Sequence, residues 1–159
     1  MNRAFPWLII FLIAAGSSAL GQHRDPVAMP DNPDQSERLK NSHDRDYILR
    51  NFQTMYVDAR GAEFFGSDQM KAALGRNQNF ARLNIRMVDD PRVADVVLVV
   101  SYTFAWDYPF TLRHQNTTVV LLAGKGEGPF SGPLGAASVA SRFVKLMKPY
   151  RVIPEKKDK

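Results

Sequence analysis

No cysteine occurs among the 159 residues, and histidine appears only as His23, His43 and His114. The first absence excludes disulfides, thiolate-bound zinc, a cysteine nucleophile and the lipid-bearing cysteine of a bacterial lipoprotein. A domain built from this chain folds by burial alone. Small extracellular animal domains usually rely on disulfides, so an exported chain without them points to a bacterial periplasmic or secreted protein. The shortage of histidine leaves no convincing hydrolase triad or zinc centre, because such chemistry needs several groups converging on one atom. The net charge is +5 and the isoelectric point about 9.6, yet Lys and Arg are scattered apart from Lys156, Lys157 and Lys159. A nucleic-acid footprint is a clustered stripe, so no nucleic-acid partner is expected, and no motif requires a cofactor. Long hydrophobic runs are missing too, with one exception at the start of the chain.

That exception is Phe5 to Ala15, preceded by Met1-Asn2-Arg3 and followed by Gly16-Ser17-Ser18-Ala19-Leu20-Gly21. One positive charge, a short apolar core and a small-residue exit are the parts of a secretory signal peptide. A spanning helix needs roughly 20 apolar residues, and this run meets Gly16 first. Cleavage is expected after Gly21, so that the mature chain starts at Gln22; the bond after Ala19 is the alternative. Only an uncleaved leader would bring the protein to a membrane. Loss of Arg3 lowers the net charge by one unit.

Hydrophobic residues make up 45% of the chain, enough for a real core. Residues 22–45 are polar, with Pro26, Pro30 and Pro33 and no apolar period, and read as a flexible linker. A single domain is expected over 46–150 and a charged, disordered tail over 151–159. Tyr47-Ile48-Leu49 and Phe52 suggest a lead-in turn or short helix. Thr54–Asp58 reads as a strand closed by Arg60-Gly61. Ser67 is the expected N-cap of a helix with Met70, Ala73 and Leu74 on one face and Gly75 at its end. Residues 83–88 alternate as a half-buried strand, stopped by Asp89-Asp90-Pro91. The β-branched run from Ala94 to Val100 suits a central strand covered on both faces. Two strands, 111–114 and 118–123, flank a turn at Gln115-Asn116-Thr117. The last helix, about Leu134 to Met147, has Pro133 at its start and Ala136, Val139, Ala140, Phe143, Val144 and Met147 on its apolar face. A right-handed crossover puts the first strand parallel to the second or third, and the later strands add an antiparallel meander. The predicted fold class is α/β (α+β): a two-layer sandwich whose mixed sheet of about five strands follows the order β-α-β-β-β-β-α.

This succession, with Ala94-Asp95 opening a valine-rich strand after a short linker, resembles a group of bacterial envelope domains. They are the TolB amino-terminal domain and the curli-secretion and penicillin-binding-protein-activator lipoproteins. The likeness runs from about Thr54 to Tyr150. It departs from them at Arg113–Thr118, where many members have an Asp-x-x-Thr-Gly turn followed by an aromatic, and in lacking a lipoprotein cysteine. The resemblance implies a non-catalytic envelope domain that contacts another protein or peptide.

Among candidate sites, Tyr102, Phe104, Trp106, Tyr108 and Phe110 recur at every second position and would share one side of an extended strand. They form a core stripe, a row split by a turn near Ala105 to Tyr108, or an exposed platform for a partner. Trp106 and Tyr108, nearest that turn, and Phe104 beside it are the candidate binding residues. The alternative is a divalent-ion site: Asp58, Asp89 and Asp90 each follow a strand and could share one edge of a parallel pair. Strand-end aspartates are also ordinary turn and cap residues. Gly124-Lys125-Gly126-Glu127-Gly128 superficially suggests a phosphate loop, but Lys125 comes too early and Pro129 and Pro133 remove donors. His114, beside a turn, is expected to be exposed. The reading that unites these features is an exported, non-catalytic binding domain of the bacterial cell envelope; the alternative is an ion-binding protein or ion-dependent enzyme using the three aspartates.

Overall fold

Asp95 and Thr54 tie the start of one strand to the start of another. The Asp95 carboxylate accepts from the backbone N–H groups of Gln53 (2.8 Å) and Thr54 (2.9 Å). In return the Asp95 N–H donates to Thr54 Oγ1 at 2.9 Å, and that hydroxyl reaches Val93 O. The Ala-Asp dipeptide thereby fixes which residues of the two strands sit side by side.

The computed structural model describes residues 33–128 and 131–151. The leader, the Gly21–Gln22 bond and the tail from residue 152 onward lie outside the described residues. Helices α1 (Pro33–Asn41) and α2 (Arg45–Asn51) precede strand β1 (Thr54–Gly61). There follow α3 (Ser67–Arg76), α4 (Gln78–Ala81), β2 (Arg86–Val88) and a 3-10 turn at Pro91–Val93. Strands β3 (Val96–Ser101), β4 (Asp107–His114) and β5 (Val120–Glu127) lead into α5 (Gly132–Met147) and a closing 3-10 turn at Lys148–Tyr150. The sheet runs β2-β1-β3-β4-β5. β1 is parallel to both β2 and β3, and β3-β4-β5 is an antiparallel meander. This is a mixed α/β fold with a five-stranded mixed sheet flanked by helices.

The linker expected over 22–45 is largely helical where it is described. α1 occupies Pro33–Asn41 with Leu39 buried in the core, and Asp44 caps α2 by accepting from the N–H groups of Asp46 and Tyr47. One buried leucine and a capping aspartate supply what the polar composition hid. Ile48, Leu49 and Phe52 are fully buried. Arg151, assigned to the tail, lays its guanidinium 4.4 Å from the centroid of the Phe52 ring and donates from Nη2 to Phe52 O. Burial pushes its pKa down to about 10.

β3 is not covered on both faces. Val96, Leu98 and Val100 are buried, whereas Val97 and Val99 are half-buried. Among the described residues, α5 packs against β5 and β4, α3 against α5 and β1, and α2 against β5. A β-branched run reports strand propensity, and coverage of the second face is a separate, tertiary matter. The N-cap of α3 is Gly66; Ser67 Oγ instead accepts from Ala59 N–H at 3.0 Å. The strand expected over 83–88 shortens to three residues, because Leu83 and Ile85 are buried outside any ladder. On α5, all six residues of the expected apolar stripe are buried, and the Phe143 ring lies 6.4 Å from those of Phe80 and Phe110.

The glycine run has a packing role. Gly124 and Gly126 of β5, and Gly128 just beyond it, lie against α5. A Cβ on Gly126 would come within 2.6 Å of Val139 Cγ2, and one on Gly128 within 2.6 Å of the Gly135 Cα. Strand and helix touch backbone to backbone there, which fixes how closely α5 approaches the end of the sheet.

Candidate functional site

The end of the sheet opposite the Asp95 clamp gathers aromatic side chains from two loops. The β3–β4 hairpin turns through Phe104, Ala105 and Trp106, closed by a Thr103 N–H bond to Asp107 O at 2.9 Å. Ala105 (φ 72°) and Trp106 (φ 64°) both occupy the left-handed region. Each such residue costs roughly 1–2 kcal/mol relative to right-handed backbone. That turn splits the predicted aromatic row. Tyr108 and Phe110 continue into β4 and are buried, Tyr102 and Trp106 are half-buried, and Phe104 is 94% exposed at the hairpin tip.

A ring that the alternation could not include completes the group. Phe64, in the loop after β1, is 43% exposed and lies 5.0 Å from both Tyr102 and Trp106 between ring centroids. Tyr102 and Trp106 are 6.3 Å apart. These spacings fall in the range where edge-to-face and tilted ring pairs attract. The cue for Phe64 was Phe64-Phe65, an aromatic pair in a short loop between Gly61 and Gly66, where solvated residues are the rule.

Tyr108 is not part of the exposed surface. Its ring rests on Gly135 of α5, where a Cβ would come within 2.5 Å of Cε2, and it pairs with Phe65 at 5.0 Å and Tyr102 at 5.6 Å. The glycine on α5 makes the slot that hides it, and no pattern within the strand could announce a glycine some 27 residues away. Its hydroxyl is buried with no hydrogen-bond partner among the described residues, and burial raises its pKa. It serves as the base on which the outer rings stand.

The three aspartates do not form an ion site. Asp58 is held by Arg60, with Nε–Oδ1 and Nη2–Oδ2 distances of 2.9 and 2.7 Å, and that bond lowers its pKa. Asp89 pairs with Lys71 of α3 at 2.6 Å. Asp90 caps the Pro91–Val93 turn through Arg92 N–H and pairs with the Arg92 side chain, which lowers its pKa as well. Among the described residues no group of three His, Cys, Asp or Glu side chains could hold a metal ion. Asp89 and Asp90 follow β2 as expected, whereas Asp58 lies within β1, and each of the three is paired with a cation.

His114 is also placed differently from the expectation. It is 1% exposed, and Nδ1 lies 2.7 Å from Thr117 Oγ1 across the β4–β5 turn. Burial lowers its pKa below the ordinary 6.5. Among the described residues no helix is long and apolar enough to cross a membrane.

The fold and the tip together define a two-layer α/β sandwich with one aromatic loop cluster at the end of its sheet. Comparison with known protein families, curated proteins and solved structures finds no match for the chain.

Proposed function

We propose that this chain is an exported, non-catalytic binding domain of the bacterial cell envelope, of the kind that the TolB amino-terminal and lipoprotein activator domains represent, and that it holds a partner protein or peptide through Phe104, Trp106 and Phe64. The observation that carries this reading is Phe104, 94% exposed on a hairpin whose next two residues are both in left-handed backbone. Covering such a ring is worth about 1.5–3 kcal/mol, a gain left for a partner to realise. Aromatic side chains beside half-buried rings are favoured interface anchors, and strained backbone concentrates where function maintains it. The leader-like segment Met1–Gly21 supplies the address.

The test uses the full chain expressed in a Gram-negative host, with a photo-crosslinking phenylalanine analogue at position 104 and, as control, at the exposed Arg113. The product should fractionate with the periplasm or medium and begin near Gln22. Position 104 should capture a discrete envelope protein that position 113 does not, and Trp106→Ala should abolish that capture while the fold persists. Retention in the cytoplasm rejects the export reading. Equal capture from both positions rejects the tip as the contact surface.

A further inference from the structure

A second surface, separate from the aromatic tip, lies along the outer edge of β5. β5 ends the sheet, so one side of its backbone pairs with β4 and the other has no neighbouring strand among the described residues. Gly128 N–H donates to Trp106 O, which sets the alternation: residues 122, 124, 126 and 128 turn their backbone groups towards β4. Residues 123, 125 and 127 turn theirs outward. The two ends of this outer edge are occupied. At one, Arg45 Nε donates to Leu121 O at 2.6 Å; at the other, Glu127 N–H donates to Ser138 Oγ at 2.9 Å. Between them the N–H and C=O groups of Ala123 and Lys125 have no partner among the described residues.

The edge is one wall of a groove of about 520 Å³, lined by Lys125, Glu127, Ser138, Ser141, Arg142 and Lys145. Ser138, Ser141, Arg142 and Lys145 are spaced so that they follow one stripe of α5. Lys125 is engaged by Asp107 and Glu127. Arg142 and Lys145 form no ion pair among the described residues, so the groove carries two uncompensated positive charges beside an open ladder.

We propose that this edge takes up an acidic, extended peptide segment of another protein as a sixth strand. Two donors and two acceptors of β5 supply the main-chain bonds. Because side chains alternate, every second residue of the added strand faces α5, where carboxylates meet Arg142 and Lys145; the others continue the open face of the sheet beside Ala123. A second copy of β5 is a poorer occupant, since a two-fold contact would bring both sets of Arg142 and Lys145 together. The occupied ends limit the added strand to a short segment.

The probe is a fluorescein-labelled peptide of about eight residues alternating Glu and Val, a typical strand length, measured against the full chain by fluorescence anisotropy. Binding should weaken with added salt, and amide exchange at Ala123 and Lys125 should slow on addition of peptide. Ala123→Pro removes one outward donor from an edge, where proline is tolerated, and should lower affinity at least tenfold. Arg142→Glu with Lys145→Glu should do the same and abolish the salt dependence. A Lys-Val peptide should not bind. If the Glu-Val peptide fails to bind, or an alternately N-methylated version binds equally well, the strand-addition proposal is overturned; the second result would assign the groove to anions in general. The peptide controls hold even if a variant fails to fold. Phe104→Ala should leave this binding unchanged, so the two surfaces stand or fall separately.

Discussion

The two ends of β3 are built on opposite terms. At its start, Asp95 accepts two backbone N–H groups, its own N–H meets Thr54 Oγ1, and its carbonyl accepts from Gln115 N–H at 2.9 Å. His114, the register partner of Val96, is buried beside it with its Nδ1 on Thr117. At the other end are two consecutive left-handed residues, an orphaned Tyr108 hydroxyl and a phenylalanine in water. The first end satisfies its polar groups and sets register. The second retains strain and uncovered apolar surface, costs that a structure bears where recognition needs them. Satisfied polar groups and uncovered, strained ones are thus separated along a single strand.

Breaking the clamp should have the largest effect. Asp95→Ala leaves the N–H groups of Gln53 and Thr54 without their acceptor and should cost about 2–3 kcal/mol in urea unfolding, given the strength of hydrogen bonds to a charged group. A loss below about 0.5 kcal/mol, the scatter of ordinary surface changes, would show that the two ends are not so different.

The clamp end should also make the fold sensitive to acid through His114. Its folded pKa lies below 6.5, so above that value the imidazole is neutral in both states and full stability is present. As pH falls below 6.5, the unfolded chain takes up a proton that the folded chain resists, and stability declines until pH passes the folded value. His114→Gln, which can keep a bond to Thr117, should flatten the part of the decline that begins near pH 6.5. An unchanged pH profile of melting temperature would remove His114 from the account.

At the tip the changes should run the other way. Tyr108→Phe deletes a buried hydroxyl that has no partner among the described residues and should stabilise the domain by about 1 kcal/mol. Destabilisation of that size would mean that the hydroxyl does bond in solution. Smaller still, Ala105→Gly relieves a left-handed alanine and should add about 0.5–1 kcal/mol in thermal melts. If the same change weakens partner capture, the strain serves recognition; if it leaves capture intact, the turn merely positions Phe104.

Much of the fold was legible because its cues are local. The stripe from Ala136 to Met147, the turn at 115–117, the Asp68 charge in the first turn of α3 and the crossover from β1 to β2 and β3 follow from spacing, turn chemistry and chain handedness. The misread elements are those whose cues are distant or slight. Among its described side chains α1 buries Leu39, and Leu83 and Ile85 are buried without strand partners. The site was half legible. Phe104 and Trp106 were marked by their place beside a turn, while Phe64 joins them only because β1 and β3 run parallel and end together.

By itself the sequence determined the class of the fold, the absence of disulfides and the residues available for a core, since composition and periodicity act within a few neighbours. Only the tertiary structure decided that Tyr108 is sheltered by Gly135, that Asp58, Asp89 and Asp90 each meet a separate cation, and that Gly126 and Gly128 serve helix packing. Burial and charge compensation depend on what lies across the gap. For Tyr108 and the glycines, that partner comes from a remote part of the chain.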